Sequence, residues 1–340
     1  MVILVCGGAG FISSNFIRYK MAQDPDCKIV NFDKLTYAGN LDNLEDLAGD
    51  TRYTFVQGDI TDLDALNKVI REQGVDHVIN FAAETHVDRS IHGGCKDFVL
   101  TNSLGVQMIL EAVKANNIKK YVQVSTDEVY GALSLESKDL FTEKTPIMPN
   151  MPYAAAKAGG DLMCNAYFVT HGTPVVVTHC SNNYGPYQFP EKVIPSFIFR
   201  LSANEKVPIY GDGLNVRDWI HVTDHARALD LLLQKGEPGQ VYNIGSDNER
   251  SNLELTRMLL AYFGQGDDRI DFVEDRKGHD RRYAIDATKV KSLGWSPEYP
   301  RDKFEEGLKQ TIEWYLNNPE WVEKLRQRKI EWDEKALRSN

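Results

Sequence analysis

Tyr153 and Lys157, within YAAAK, set a phenol and an ammonium four residues apart, on one face of a helix. A free tyrosine titrates at about 10, and a neighbouring ammonium favours its phenolate. A phenolate so placed takes a hydroxyl proton while hydride leaves the same carbon. Upstream, KYVQVS runs into Thr126-Asp127-Glu128, a hydroxyl followed by two adjacent carboxyl groups. Such a pair suits acid and base work when its surroundings drive the two pKa values apart. The alternative for Asp127 and Glu128 is a solvated acidic turn. Tyr-x-x-x-Lys alone is common by chance, so its meaning rests on the elements that position it.

Those elements begin at the first residue. MVILVC reads as a strand, Gly7-x-x-Gly10-x-x-Ser13 as a turn, and Phe11 to about Ala22 as a helix. A glycine turn between strand and helix lets backbone amides approach a pyrophosphate at a positive helix end. Ser13 stands at the third glycine position; it is small, and its hydroxyl has the option of bonding back to the helix backbone. Further apolar runs follow at Lys28–Phe32, Tyr53–Gln57, Asp76–Phe81, Lys120–Ser125 and Pro174–His179. Helical patterns separate them, from Asp62 as N-cap, over about Lys96–Asn116 and over about Tyr153–His171. The fold class is therefore α/β: a Rossmann-like, doubly wound parallel sheet covered on both faces. After Tyr184 the rhythm breaks at Pro186, Pro190, Pro195 and Pro208. The expected division is a dinucleotide-binding domain over 1–181 and a smaller, mixed α/β substrate-binding domain over 182–340. The segment 222–245 (helix Val222–Leu233, strand Gln240–Ile244) is expected to return to the first. Helices are also expected at Asn252–Phe263, Asp286–Ser292 and Lys303–Asn317, with Trp321, Leu325 and Trp332 as packing points in the charged tail.

Asp33 ends the second strand about twenty residues past the turn, where a carboxylate holds ribose hydroxyls and disfavours a 2′-phosphate; this points to NAD rather than NADP. An ordinary loop aspartate is the alternative. Asp59-Ile60 ends the third strand and Phe81-Ala82-Ala83 the fourth, both at the carboxyl edge where such a cofactor lies.

Together the glycine turn, Asp33 and the Tyr153/Lys157 pair resemble the extended short-chain dehydrogenase/reductase family. Ser125-Thr126-Asp127-Glu128-Val129-Tyr130-Gly131 narrows the likeness to its dTDP-glucose 4,6-dehydratase branch. The resemblance implies that Thr126 binds the sugar C4 oxygen, Asp127 protonates the departing C6 hydroxyl and Glu128 takes the C5 proton. Asp127 then has to stay protonated, so its pKa is expected to be raised. To the cofactor the resemblance assigns Gly7, Gly10, Phe11, Ile12, Asp33, Lys34, Thr36, Asp59, Ile60, Phe81, Ala82, Ala83, Thr85, Thr101, Tyr153, Lys157 and Asn183. To a dTDP-sugar it assigns His86, Thr126, Asn182, Glu191, Lys192, Val193, Pro208, Tyr210, Arg217, Asn252, Arg276 and His279. Lys277 stands where the family usually has proline, a departure like Ser13 that bears on affinity. A homodimer paired through the helices at about 96–116 and 153–171 is carried over with the family.

The same fold admits a UDP-glucose dehydratase, a 4-epimerase or decarboxylase, and a nucleotide-sensing protein without catalysis. The Asp127–Glu128 pair argues against an epimerase or a decarboxylase, and an intact Thr126, Tyr153 and Lys157 against a sensor. A net charge of −10 disfavours nucleic acid and anionic membranes. No stretch reaches the roughly 18 apolar residues of a membrane span. Five scattered cysteines without C-x-x-C read as reduced thiols of a cytoplasmic protein, and no metal set is evident.

Overall fold

The computed structural model describes residues 1–92, 94–275 and 278–338. In chain order the first half runs β1 (Val2–Cys6), α1 (Phe11–Gln23), β2 (Lys28–Asp33), β3 (Tyr53–Gln57), α2 (Leu63–Gln73), β4 (His77–Asn80), α3 (Val87–His92), α4 (Lys96–Val99), α5 (Val106–Ala115), β5 (Lys120–Thr126), α6 (Pro152–His171) and β6 (Val175–Cys180). The second half runs β7 (Asn182–Tyr184), α7 (Val193–Ser202), β8 (Val207–Tyr210), β9 (Val216–His221), α8 (Val222–Lys235), β10 (Val241–Ile244), β11 (Glu249–Ser251), α9 (Asn252–Tyr262), β12 (Ile270–Val273), α10 (Thr288–Ser292), α11 (Phe304–Asn317) and α12 (Pro319–Arg338).

Alternation along β1 sets the layers. Ile3 and Val5 face a core with Phe16 and Ile17 of α1 and Leu229 and Leu232 of α8. Leu4 and Cys6 face the opposite core with Leu66 and Val69 of α2 and Ile109 and Leu110 of α5. Both faces are thus covered, as a parallel sheet requires. The sheet has seven strands in the order β10-β6-β5-β4-β1-β2-β3, and every pairing in it is parallel. The order reverses between β1 and β4, so the crevice for a ligand lies beyond their carboxyl ends.

In the second half β9 pairs antiparallel with β11 and parallel with β7, while β8 pairs parallel with β12. Ile194, Phe197, Ile198, Leu255, Leu259, Phe304, Leu308 and Ile312 form its core.

Two expectations need correction. The helix expected over 96–116 is not uniform: α4 and α5 are joined through Leu100–Gly105, which widens to π-type i→i+5 bonding. Ser13 does not bond back into its helix; its Oγ donates to the Gly7 carbonyl at 2.5 Å, tying helix to turn. In the tail, a helix, the expected packing points Trp321 and Leu325 do pack: they cluster with Tyr37 and Phe189, Trp321 Nε1 donates to Asn43 Oδ1 at 3.0 Å and Arg328 Nη2 to the Gly39 carbonyl at 2.6 Å. The Trp332 side chain lies outside the described residues.

The Gly7 carbonyl also accepts from Gly10 N at 3.2 Å, so Ser13→Ala leaves no orphaned acceptor. Its expected cost is about 1 kcal/mol of unfolding free energy, the net worth of one hydrogen bond. Denaturant unfolding checks this, and a midpoint equal to that of the original chain would contradict it.

Candidate active site

Gly7 adopts φ +73°, and a Cβ there would stand 2.6 Å from the backbone of Ala82. No other residue type fits that position without displacing the end of β4. The close approach opens a cavity of about 510 Å³ across the carboxyl ends of β1 to β4. Gly7, Gly10, Asp33, Lys34, Thr36, Asp59, Ile60, Phe81, Ala82, Ala83 and Thr101 line it, all of them expected from the sequence.

Asp33 sits at the tip of β2 with its carboxylate fixed by the backbone N–H groups of Ala9 (2.9 Å) and Leu35 (2.7 Å). Each oxygen keeps a lone pair for a ribose hydroxyl. Burial pushes the Asp33 pKa up, against those two bonds. Burial also acts to raise Asp59, but the Lys34 ammonium, 2.7 Å away, outweighs it and holds that carboxyl below its ordinary value.

Phe11, Ile12, Thr85 and Asn183 lie outside the cavity lining. Phe11 and Ile12 open α1. Thr85 Oγ1 lies 3.2 Å from the Tyr37 hydroxyl. Asn183 holds the Ser181 carbonyl at 3.0 Å and faces His225 Nδ1 at 2.9 Å. Burial pushes His225 down to about 3, so Asn183 meets a neutral imidazole.

The catalytic candidates converge at the ends of β5 and α6. Thr126 ends β5; its Oγ1 accepts from Glu128 N at 3.3 Å, capping a single 3₁₀ turn over Asp127–Tyr130. The turn ends at Gly131, φ +91°, where a Cβ would press on the Met148 carbonyl. The acidic turn is therefore not solvated. Asp127 is buried, and its Oδ2 has no hydrogen-bond partner among the described residues. Burial first, then the Glu128 charge, then Asp218, drive its pKa well above the carboxylate range. Pro152 starts α6 in a position where its missing N–H costs nothing, and the helix presents Tyr153 and Lys157, both buried.

One electrostatic expectation is reversed. Burial, then the Glu128 carboxylate, push the Tyr153 phenol up, against the direction in which the Lys157 ammonium acts. The reason is geometric: Lys157 Nζ donates to the Val124 carbonyl at 2.7 Å, and burial lowers its own pKa. The chain's own groups hold the phenol neutral.

On the far side, Arg217 is buried, stacks 4.2 Å from the Tyr283 ring and donates to the carbonyls of Val216 (2.8 Å) and Asp280 (3.0 Å). Three of its five donors remain for an anion. Asn182 Oδ1 is buried without a partner among the described residues. Pro208 and Tyr210 lie in β8, and His279 packs edge-on to Tyr210 while its Nδ1 meets Asp275 Oδ1 at 2.6 Å. Asn252 starts α9 and Val193 starts α7. His86 Nε2 lies 3.6 Å from Glu191, and Lys192 Nζ reaches the Thr85 carbonyl at 3.3 Å. Arg276 and Lys277 lie outside the described residues.

Sequence reasoning missed Phe32, Ala38, Gly39, Gly58, Thr61, Glu84, Asp97, Leu100 and Leu104, which also line the cavity. Asp97, Leu100 and Leu104 come from the helix across the crevice. It also missed Tyr37, whose hydroxyl meets Thr85 and Glu191 (3.3 Å) and whose ring lies under Arg89.

Comparison with known proteins agrees with this geometry. Residues 4–311 match the family described as GDP-mannose 4,6 dehydratase. A low-salt glycan biosynthesis protein of Haloferax volcanii, Agl12, is 49% identical over 320 residues, 94% of this chain and 100% of that one. A dTDP-glucose 4,6-dehydratase of Streptomyces niveus is 48% identical over 331 residues, 96% of each chain. The crystal structure of dTDP-glucose 4,6-dehydratase from Bacillus anthracis str. Ames in complex with NAD aligns at a TM-score of 0.89 and 48% identity, over 96% of this chain and 99% of that one. With a matched span this long and relatives near half-identical from end to end, the chain belongs to the GDP-mannose 4,6-dehydratase family, in the company of the dTDP-glucose 4,6-dehydratases.

Proposed function

We propose that this protein is an NAD-dependent dTDP-glucose 4,6-dehydratase that makes dTDP-4-keto-6-deoxyglucose. The observation that carries the reading is the Asp127–Glu128 pair beside Tyr153, Asp127 buried and Glu128 half-buried, with the buried acid driven toward its neutral form. An oxidation–rereduction at C4 alone has no task for that pair. The relatives' names favour thymidine over uridine nucleotides.

The cavity fits a dinucleotide: a glycine turn at its floor, small residues where β4 ends and a fixed carboxylate at the tip of β2. Bound there, NAD would accept the hydride from C4 and, once reduced, return it to C6 after water has left, and its oxidised ring would carry the positive charge the Tyr153 phenol lacks. Tyr153 takes the proton of the C4 hydroxyl, while Thr126 and Tyr153 hold the resulting ketone oxygen. The ketone acidifies the C5 hydrogen, which Glu128 removes. Asp127 gives its proton to the C6 hydroxyl, which leaves as water. Glu128 then returns a proton to C5. Asp33 would hold the adenosine ribose, Lys157 the nicotinamide ribose, and Arg217 and the amides opening α7 the diphosphate.

The division of labour we infer is residues 1–181 with 222–245 for the cofactor and 182–340 for the sugar nucleotide. We also infer a homodimer: Leu162, Met163 and Val169 of α6 and Val99, Leu100 and Leu104 beside it are exposed apolar residues, and molar mass in solution tests this. A cytoplasmic location fits five free cysteines, four of them buried. Among the described residues no helix is long and apolar enough to cross a membrane.

Incubation with dTDP-glucose in deuterated water tests the reaction. The expected product is a 4-keto-6-deoxy sugar carrying deuterium at C5, formed without added reductant, and formed faster than from UDP-glucose. A 4-epimer without C5 label would overturn the reading.

A further inference from the structure

Asp161 lies two turns beyond Tyr153 and one beyond Lys157, on the same helical face. Its side chain is 3% exposed, as is that of His179. Asp161 Oδ2 accepts from Ser125 Oγ at 2.6 Å and stands 3.2 Å from His179 Nε2. Asp161 Oδ1 is buried with no hydrogen-bond partner among the described residues. His179, on β6, sets Nδ1 2.7 Å from the Tyr130 hydroxyl, which lies 2.8 Å from Asn243 Oδ1.

Donors and acceptors along this chain follow from its far end. Asn243 Nδ2 donates to the Phe141 carbonyl at 3.0 Å, which fixes the amide's orientation. Asn243 Oδ1 only accepts, so Tyr130 donates to it. A phenol has one proton, so toward His179 it accepts, and His179 Nδ1 carries hydrogen. His179 Nε2 then faces a carboxylate oxygen. Two opposed lone pairs at 3.2 Å in a buried site repel, so a proton lies between them. The pair is imidazolium–carboxylate or imidazole–carboxylic acid, neutral overall in either form.

The pair bears on Lys157. Burial works to strip the Lys157 proton, and Asp161 opposes it. Cys164 and Cys180 also face Lys157, but burial pushes both thiols up, the second to about 12, so neither supplies an anion. Around Tyr130 the other acidic groups are Glu143 and Asp127. Glu143 is spent on Asn243 N at 3.0 Å.

We propose that Asp161 and His179 share one buried proton and act as the positioning pair for Lys157, the Asp161 end of the pair turning its partial negative charge toward the ammonium one helical turn away. The proposal rests on Tyr153 and Lys157 being the reactive pair. Where the shared proton sits sets how much negative charge Lys157 meets. Tyr130 is what selects the tautomer that makes sharing necessary.

Proton NMR of the full-length protein with ¹⁵N-labelled histidine reads the shared proton without any turnover. The expected signature is a far-downfield proton, with both ring nitrogens of His179 protonated or hydrogen-bonded, kept between about pH 6 and 8 and lost in Asp161→Asn. Absence of any far-downfield proton throughout that range, with His179 Nε2 neither protonated nor hydrogen-bonded, would overturn the proposal. In steady-state kinetics Asp161→Asn is expected to move the alkaline limb of kcat down by about one pH unit or more, with KM little changed. Tyr130→Phe frees the imidazole proton to move to Nε2, so the carboxylate stays and the alkaline limb holds its place while the downfield signal shifts. An Asp161→Asn profile differing from the original only in height would also overturn it. Should Asp161→Asn not fold, the unsubstituted protein and Tyr130→Phe still decide by NMR. Inactivity of the unsubstituted protein on dTDP-glucose would sink the proposed reaction and leave the NMR result standing by itself.

Discussion

Asp127→Asn is expected to stall the reaction after its first half. The amide keeps the size and burial of the carboxyl but has no acidic proton for the departing hydroxyl. Loss of one general acid lowers the step it serves by about 10²–10⁴-fold. C4 oxidation does not use Asp127, so on mixing with dTDP-glucose the variant should accumulate reduced nicotinamide, seen by its absorbance, while dTDP-4-keto-6-deoxyglucose fails to appear. Equal slowing of cofactor reduction and water loss would remove Asp127 from this role.

The same substitution has a signature in stability. The Asp127 pKa is raised in the folded chain, chiefly by burial and then by Glu128, so the folded state binds the proton more tightly than the unfolded one. The stability this contributes is complete below the unfolded carboxyl pKa and is lost as pH rises toward the folded value. Asparagine carries no such titration. Asp127→Asn should therefore melt above the unsubstituted protein at alkaline pH, with the difference shrinking toward acid. The dehydration step should weaken over the same rise in pH, as the acid form of Asp127 is depleted.

The first six strands and the longer helices between them were legible because each carries a pattern of its own: apolar runs such as DHVINF, a capped start at Asp62, the 3.6-residue period; the short helix Val87–His92 was not. The carboxyl-edge residues followed from strand ends alone. What failed to announce itself depends on distant partners. Asn182–Tyr184 and Glu249–Ser251 are three-residue strands that exist only through their pairing with Val216–His221. Leu100 and Leu104 of the π-type segment Leu100–Gly105 stand in the cavity wall, yet both read as ordinary helix; Thr101 between them was expected there only through the family resemblance. Trp321 was visible as a packing point, but not that its target is Asn43, 278 positions away. The acidic pair was legible as chemistry; the burial of Asp127, which raises its pKa, was not. Nor was the direction of the Tyr153 shift. Sequence spacing brings Lys157 to the right face, whereas the Val124 carbonyl decides where its ammonium points.

That last point makes Tyr153→Phe the complementary experiment. The buried phenol is pushed up by its surroundings and carries its proton in the chain's own field. It becomes a base only beside added positive charge, so its function is confined to the step in which C4 loses hydride. Phenylalanine preserves the ring that packs edge-on to Phe98, 6.4 Å between centroids, and leaves the fold and the Gly7 turn intact. Expected is a fall in kcat of about 10²–10⁴-fold with cofactor affinity retained, measured by equilibrium titration with NAD. Unlike Asp127→Asn, this variant should show no reduced nicotinamide on mixing, because it fails before the ketone forms. A Tyr153→Phe protein that reduces its cofactor at the original rate would place the proton acceptor elsewhere, with Thr126 the first group to test. The two variants thus divide the reaction at the ketone: one stops short of it and the other cannot leave it.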